Sequence, residues 1–589
     1  MQFCEPLVAI GDDLYDNCGT SESLVICKCY QAALNLEPSP ELRCYIYYRL
    51  GSLLIELNAP TAIEHLQKCV KTYQDSKLPS PISLNLPCQA CWKITNYHLA
   101  LNKPRHARDV LSQLQTIAGS GGDKDAVYQS TFKLVEISDR PQVAGILSTG
   151  IDYILPLKSA FVEKSFLLLY RAAFYLSMRS VSDSLDDLDT VKELILNTDF
   201  EVENIKEYFQ SIQLLLRLHV SLLCGKVSSS KDLLKDLQHL VQVLINLSSC
   251  TDPEITKYFY WLKPEHILIL IYLVTCIYHM MAGTLERAKK YTEKAFFQIE
   301  KLKSLNDSSD ILISMHIILL ENAIQSHLVM GNKVKAIAEI AQICKMAFSN
   351  NTLMRRHGPQ IHTLLGLYSM CMNNNDAAQN QFKLVLKTTK NQDLFTFCAL
   401  NLSLIYLRVG SRHDLQVLLD RTDPSGDFPS CSLALKSAAY YVRSLHAFYQ
   451  ANYIDAKRFL RNTITLTSAE DVNRLTTCSL VLLGHIYLND GNSEESQNVI
   501  VPAMQLASKI PDLHVQLWAC ALIETFLQLF GSLPSGYRGD PPEKTKKSVT
   551  NHLLNDYNLA RKCIEHNLIH WQDENITART LEIIQSSSD

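Results

Sequence analysis

The stretch from Leu475 to Pro511, LTTCSLVLLGHIYLNDGNSEESQNVIVPAMQLASKIP, decides the fold. Leu480, Leu483, Ile486 and Tyr487 recur at helical spacing and share one face. Asp490-Gly491-Asn492 breaks the run, because glycine turns φ positive without steric penalty. Ser493, with Ser496 and Gln497 behind it, opens a second helix carrying Val499, Ile500, Ala503, Met504 and Ala507. Pro511 ends it. Two antiparallel helices with one apolar face each cannot bury a core alone; stacked on copies of themselves they can. Gly484, Gly491, Ser496 and Ala503 fall at the offsets where tetratricopeptide repeats place small residues.

The register recurs outward from this unit. Arg49-Leu50-Gly51-Ser52 begins one copy, continued by Ala62, Leu66 and Cys69. Ile94 to Leu101 leads into Pro104, Ala107, Leu111 and Leu114. Further copies carry Cys276, Gly283, Ala288 and Ala295, then Ile324, Gly331, Ala336 and Ile343. Gly366, Ala378 and Phe382 follow, with Asn373 in place of the turn glycine, then Ser403, Gly410 and Leu415. Ser444, Ala456, Leu460 and Thr463 form the copy before Gly484. Gly51, Gly283, Gly331, Gly366, Gly410, Ala456, Gly484 and Ala503 are therefore the predicted repeat-packing residues. The spacing is wider than the usual 34 residues, so helices or loops are longer than standard.

Between residues 128 and 250 the register weakens. Helices are predicted at Phe161–Met178, Tyr208–Cys224 and Lys231–Leu247, with Gly225 as a turn. Loops are predicted at Gly119–Asp123, Ser248–Pro253 and Arg421–Pro429. The predicted fold class is all-α, a tetratricopeptide-like helical-repeat superhelix (α-solenoid). Its predicted divisions are amino-terminal repeats (1–250), tetratricopeptide-like repeats (251–530), a mobile loop (531–548), and carboxy-terminal helices with a polar tail (549–589).

Composition agrees with an all-helical reading. Gly and Pro number only 20 each among 589 residues, well under the roughly 7% and 5% of average usage. A net charge of −4, from 56 basic and 60 acidic residues, leaves no excess for binding nucleic acid directly. Many of the 18 cysteines lie in apolar helical faces, which suits a reducing compartment. The opening residues, MQFCEPLVAIGDDLYD, lack the pattern of a signal peptide. The longest apolar run, Ile267 to Met281, falls short of a membrane span. A soluble intracellular protein without a membrane partner is predicted.

No chemistry assembles. Pro87-Cys88-Gln89-Ala90-Cys91 matches half of the zinc-deaminase signature, but no His-x-Glu precedes it. His98 and His106 could be recruited to a structural zinc site, yet no second cysteine pair stands at finger spacing. The pair reads instead as a helix start with Pro87 in the first turn. Phosphate-binding loops, nucleophile elbows and His-Glu-x-x-His are absent. No enzyme activity, cofactor, metal or small-molecule substrate is predicted.

What the repeats present is a surface. In such a superhelix the first helix of each pair lines the concave side, and counting from the small residue gives the inward positions. They are Leu273, Ile277 and Met280; Gln325 and Leu328; Thr363, Leu367 and Met370; Leu400, Leu404 and Leu407; Tyr441, Leu445 and Phe448; Val481, His485 and Leu488. Most are apolar, and the Lys, Arg and Asn that grip a peptide carboxylate in co-chaperone repeats are nearly missing. The candidate partner-binding residues are Met280, Leu328, Met370, Leu404, Leu407, Tyr441, Leu445, Phe448 and His485. A long apolar stripe calls for a permanent protein partner; the alternative is a superhelix wound tightly enough to fill its own groove.

Three blocks carry a family likeness: Trp261-Leu262-Lys263-Pro264-Glu265-His266 into Ile271–Thr275; Ile361 to Tyr368; and Ala456–Arg461 with Ala469–Ile486 and Val501–Pro511. They resemble the MAU chromatid-cohesion-factor family, the helical-repeat subunit of the cohesin loader. The likeness runs from about residue 40 to Trp571, and departs in the first 40 residues and at 531–548. It implies a non-catalytic subunit that wraps the extended amino-terminal segment of a Nipped-B-like HEAT-repeat partner. It also implies indirect contact with cohesin and chromatin, and a nuclear location. The rival reading is a tetratricopeptide co-chaperone or adaptor that binds peptide termini.

Overall fold

The computed structural model describes residues 4–18, 22–76, 81–157, 160–198, 205–248, 262–307, 309–348, 350–426, 428, 432–534, 537 and 541–567. All regular elements among them are helices. Trp261, Leu568–Trp571, the tail Gln585–Asp589 and parts of the predicted loops at 248–253, 421–429 and 531–548 lie outside the described residues. The chain forms two compact units, Met1–Glu201 and Val202–Asp589. The boundary thus falls some fifty residues before the division predicted at residue 250.

The first unit holds α1 (Cys4–Cys18), α2 (Ser23–Asn35), α3 (Pro40–Glu56), α4 (Ala62–Ser76), α5 (Pro81–Ala100), α6 (Pro104–Gly121), α7 (Lys124–Ile137), α8 (Arg140–Ile154), α9 (Phe161–Ser177) and α10 (Val181–Asn197). Its divergent beginning is tied down by charge. Asp12 on α1 accepts from Tyr30 of α2 at 2.6 Å, and from Tyr45 and Arg49 of α3 at 2.9 Å each. Arg49 also reaches Asp16 at 2.9 Å.

The second unit holds α11 (Ile205–Leu223), α12 (Ser230–His239), α13 (Val241–Ser248), α14 (Pro264–Met281), α15 (Leu285–Ser304), α16 (Asp310–Val329), α17 (Lys333–Phe348), α18 (Asn351–Cys371) and α19 (Asn375–Thr388). It continues with α20 (Gln392–Val409), α21 (Arg412–Arg421), α22 (Leu433–Tyr449), α23 (Tyr453–Ala469), α24 (Asn473–Asn489), α25 (Ser493–Lys509), α26 (Leu513–Phe530) and α27 (Pro542–Asn567). From α14 onward each odd-numbered helix folds back on the even-numbered one before it, and the apolar faces fuse into cores that run from pair to pair. These are tetratricopeptide-like helical repeats.

The predicted packing residues divide into two jobs. A Cβ on Gly51 would sit 2.6 Å from Leu66, on Gly366 2.7 Å from Phe382, and on Gly484 2.6 Å from Ile500, so each glycine lets its paired helix approach. Ala456 and Ala503 are fully buried. Gly283, Gly331 and Gly410 instead close turns with φ of +76°, +76° and +83°; they stand outside the helix crossings because a helix must stop there to reverse.

Other expectations change. Pro87 lies inside α5, which begins at Pro81. The expected loop at Gly119 is helical through Gly121, and Gly122 caps it at φ +74°. The single helix expected over Lys231–Leu247 is split at Leu240. The expected loop 531–548 is helical from Pro542, where proline's fixed φ suits a first turn. The length argument against membrane spans also fails. Pro264–Met281, Asp310–Val329 and Leu513–Phe530 are long and apolar enough by length and composition to cross one. In the fold, 61%, 56% and 33% of those windows are buried.

The second unit also winds back on itself. Leu433 N–H at the start of α22 donates to Cys224 O in the α11–α12 turn at 3.0 Å. Asn473 at the start of α24 donates to Ala282 O in the α14–α15 turn at 3.0 Å. Lys333 N–H, in the turn that opens α17, donates to Asp556 of α27 at 2.7 Å. The second and third contacts each join a turn to the helix pair five further along.

Candidate partner-binding groove

The inner helices of the second unit are buried on more than one face, because each touches the inner helices before and after it as well as its own partner. This corrects part of the groove assignment. Leu328 is only 6% exposed and belongs to the core of α16–α18. Leu273, Thr363, Leu400, Val481 and Leu488 are likewise buried. One apolar position per turn meets the neighbouring inner helix, and a count along a single helix cannot see that neighbour.

Met280, Met370, Leu404, Leu407, Tyr441, Leu445, Phe448 and His485 keep accessible surface. Met370, Leu404, Leu407, Tyr441, Leu445 and Phe448 at the same time pack partly onto the cores. The rings form a ladder across successive inner helices. Phe448 of α22 lies 5.1 Å from His485 of α24, and His485 lies 6.4 Å from Trp518 of α26. Trp518 was missed, although its place in the next apolar helix was a usable signal. His485 Nδ1 is buried without a hydrogen-bond partner in the fold.

The groove is shielded from bulk water even where it is open. Burial pushes the Tyr441 hydroxyl well above its ordinary pKa and the Cys478 thiol up to about 11. Burial also raises the Cys371 thiol, against the pull of Lys333, Arg474 and Arg408. These cations, with Asp512, also bear on His514. So the inner side carries more basic groups than the sequence suggested. Two of them are engaged: Arg474 Nε meets Asp512 at 2.6 Å, and Lys333 Nζ lies 3.9 Å from Asp556. Asp512 in turn caps α26 through Val515 N–H at 3.2 Å.

The metal-like pair sits elsewhere. Cys88 and Cys91 are buried on α5, and burial raises both thiols to about 12, against the thiolate a metal needs. Among the described residues no group of three or more His, Cys, Asp or Glu is gathered to hold a metal ion.

Stacked helix pairs around a half-open, aromatic inner face define a tetratricopeptide-like helical-repeat protein. A family model described as cohesin loading factor matches residues 27–533. MAU2 chromatid cohesion factor homologs of Drosophila yakuba and Drosophila melanogaster are each 34% identical over 563 residues, covering 92% of this chain and 86% of theirs. The chain belongs to the cohesin loading factor family, which gives it a role in cohesin loading and chromatid cohesion. Similar solved structures include a Rap protein complexed with competence and sporulation factor (TM-score 0.45, 11% identity, 66% of this chain and 98% of that one). Another is the APC/C hetero-tetramer Cut9–Hcn1 (TM-score 0.41, 10% identity, 93% of each).

Proposed function

We propose that this chain is the non-catalytic scaffold of a cohesin-loading complex. Its second unit holds an extended amino-terminal segment of a Nipped-B-like HEAT-repeat subunit along the inner helices. The complex acts in the nucleus, at chromatin, and contact with cohesin runs through the partner. The observation that carries this reading is the accessible ladder Phe448–His485–Trp518, flanked by Tyr441, Met370, Leu404 and Leu407. Apolar rings held half-open call for an occupant. The rival reading, an adaptor gripping peptide carboxylates, gains Lys333, Arg408 and Arg474. Arg474 and Lys333 are already matched by Asp512 and Asp556, which weakens a carboxylate clamp.

Aromatic anchors at an interface contribute about 2 kcal/mol or more each, roughly 30-fold in affinity. Tyr441→Ala with Phe448→Ala is expected to strip the chain from the partner segment in co-purification and to lower cohesin on chromatin, with circular dichroism unchanged. A folded double variant that holds the segment as tightly as Lys301→Ala, an exposed change on α15, refutes the groove.

A further inference from the structure

Among the described residues of the second unit, three long-range contacts have a common form. In a solenoid ribbon the turns within pairs lie along one edge, and the starts of the inner helices lie along the other. The α11–α12 turn meets the start of α22: Leu433 N–H donates to Cys224 O, and a Cβ on Gly225 would come 2.9 Å from Ala434 N. The α14–α15 turn meets the start of α24: Asn473 donates to Ala282 O, and Gly283 packs near Ile510. The α16–α17 turn meets α26 and α27: Asp556 caps Lys333, and Gly331 faces Leu513 and Leu553. One edge of the ribbon is thus docked on the other at three successive pairs.

The three turns also share a residue type. Gly225, Gly283 and Gly331 all have φ of +76°, and a Cβ on Gly225 or Gly331 would strike the opposing edge. Gly410 and Gly491 close turns of the same kind with nothing within 4 Å. The docked turns are therefore the ones whose glycines leave room for a second chain segment.

We propose that these contacts form a seam that seals the inner groove along its length, so that a partner segment enters or leaves only when the seam opens. This inference rests on the reading above that an extended segment occupies the inner face. Among the described residues one hydrogen bond crosses at each place, joined at the third by the Lys333–Asp556 ion pair at 3.9 Å, and opening parts the turns from the opposing edge while each helix pair keeps its own packing. A segment seated while the seam is open is trapped once it closes. Seam opening, rather than the fit of the rings, then sets how fast the complex forms and exchanges.

Gly283 and Asn473 offer a direct test, because a Cβ on Gly283 would lie 3.6 Å from the Asn473 Cβ, within the range a disulfide bridges. The full-length Gly283→Cys/Asn473→Cys protein is closed with a mild oxidant, the cross-link is confirmed by peptide mass, and binding of the labelled amino-terminal segment is followed by stopped flow. Wild type treated identically controls for the native cysteines. Closure before mixing is expected to slow association at least tenfold, and closure after mixing to slow release at least tenfold. Reduction restores both. Equal rates in the oxidised and reduced forms overturn the seam; a reduced form and a wild type that both fail to bind overturn the groove reading instead. A second variant covers the case in which a side chain at position 283, with its positive φ, is too strained to fold. Asn473→Ala/Asp556→Ala removes two of the three hydrogen bonds and is expected to speed both association and release several-fold, and unchanged rates there also overturn the proposal.

Discussion

At the scale of single residues, the same amino acid does opposite work in different places. Gly484 is needed for space: an added methyl meets Ile500 at 2.6 Å. Gly491 is needed for its φ of +72°, with open space around it. Gly145, exposed on α8, is needed for neither. Gly484→Ala is therefore expected to destabilise by about 1–3 kcal/mol through overpacking, and Gly491→Ala by about 1–2 kcal/mol through left-handed strain. Gly145→Ala is expected to stabilise by about 0.5–1 kcal/mol by restoring helix propensity. Urea titrations rank the three, and a loss of stability in Gly145→Ala would contradict the assignment. The buried histidines supply a pH dependence. Burial, aided by Arg287, holds His279 down to about 4, and burial with Lys303 does the same for His316. An unfolded histidine titrates near 6.5, so between about 4 and 6.5 the unfolded chain binds more protons. Stability is complete above that window and falls as pH drops through it, by at most about 1.4 kcal/mol per pH unit for each group. His316→Gln should flatten the fall in urea midpoint between pH 7 and 5; an unchanged slope would count against a neutral buried ring.

At the scale of elements, three of the repeat turns divide the reversal between two residues. A left-handed residue reverses the chain, and the asparagine after it caps the next helix. Asn373, Ala451 and Gly491 have φ of +57°, +58° and +72°. Asn374, Asn452 and Asn492 then accept from Ala377, Asp455 and Glu495 N–H at 3.1, 3.2 and 3.2 Å. Asn492 reads from sequence as part of a helix break, yet losing such a cap typically costs about 1 kcal/mol. Asn492→Ala should lower the melting temperature, and Asn492→Ser should recover most of the loss. Indistinguishable melting curves for Asn492→Ala and wild type would show that the cap is idle. The recurring asparagine was a visible signal. The interruption at Leu240 had none that periodicity could reveal, because the apolar spacing continues across it.

At the scale of the whole molecule, charge bears on how the chain would meet DNA. With 56 basic and 60 acidic residues, there is little capacity to displace counterions from DNA. The isolated chain is expected to bind duplex DNA weakly at physiological salt. Submicromolar binding by the chain alone, falling steeply with salt, would reveal a basic patch that the net charge conceals. The apolar helices teach a related lesson. Pro264–Met281 has a mean hydropathy of 1.4 over its window, and 61% of that window is buried against other helices. Hydropathy alone does not distinguish such a helix from a membrane span.

The sequence by itself determined the repeat. Small residues at fixed offsets, turn glycines and apolar stripes are local, and they act within one helix pair, so a linear reading captures them. It also placed Tyr441, Phe448 and His485 on inner helices, since that needs only a period and a register. Tertiary structure alone decided which of those positions stay open. Leu328 and Val481 are covered by neighbouring inner helices, while Phe448, His485 and Trp518 meet across successive pairs. It alone decided the seam, because Lys333 and Asp556 stand 223 residues apart. Their meeting follows from small rotations summed over five helix pairs, and no single repeat encodes that sum.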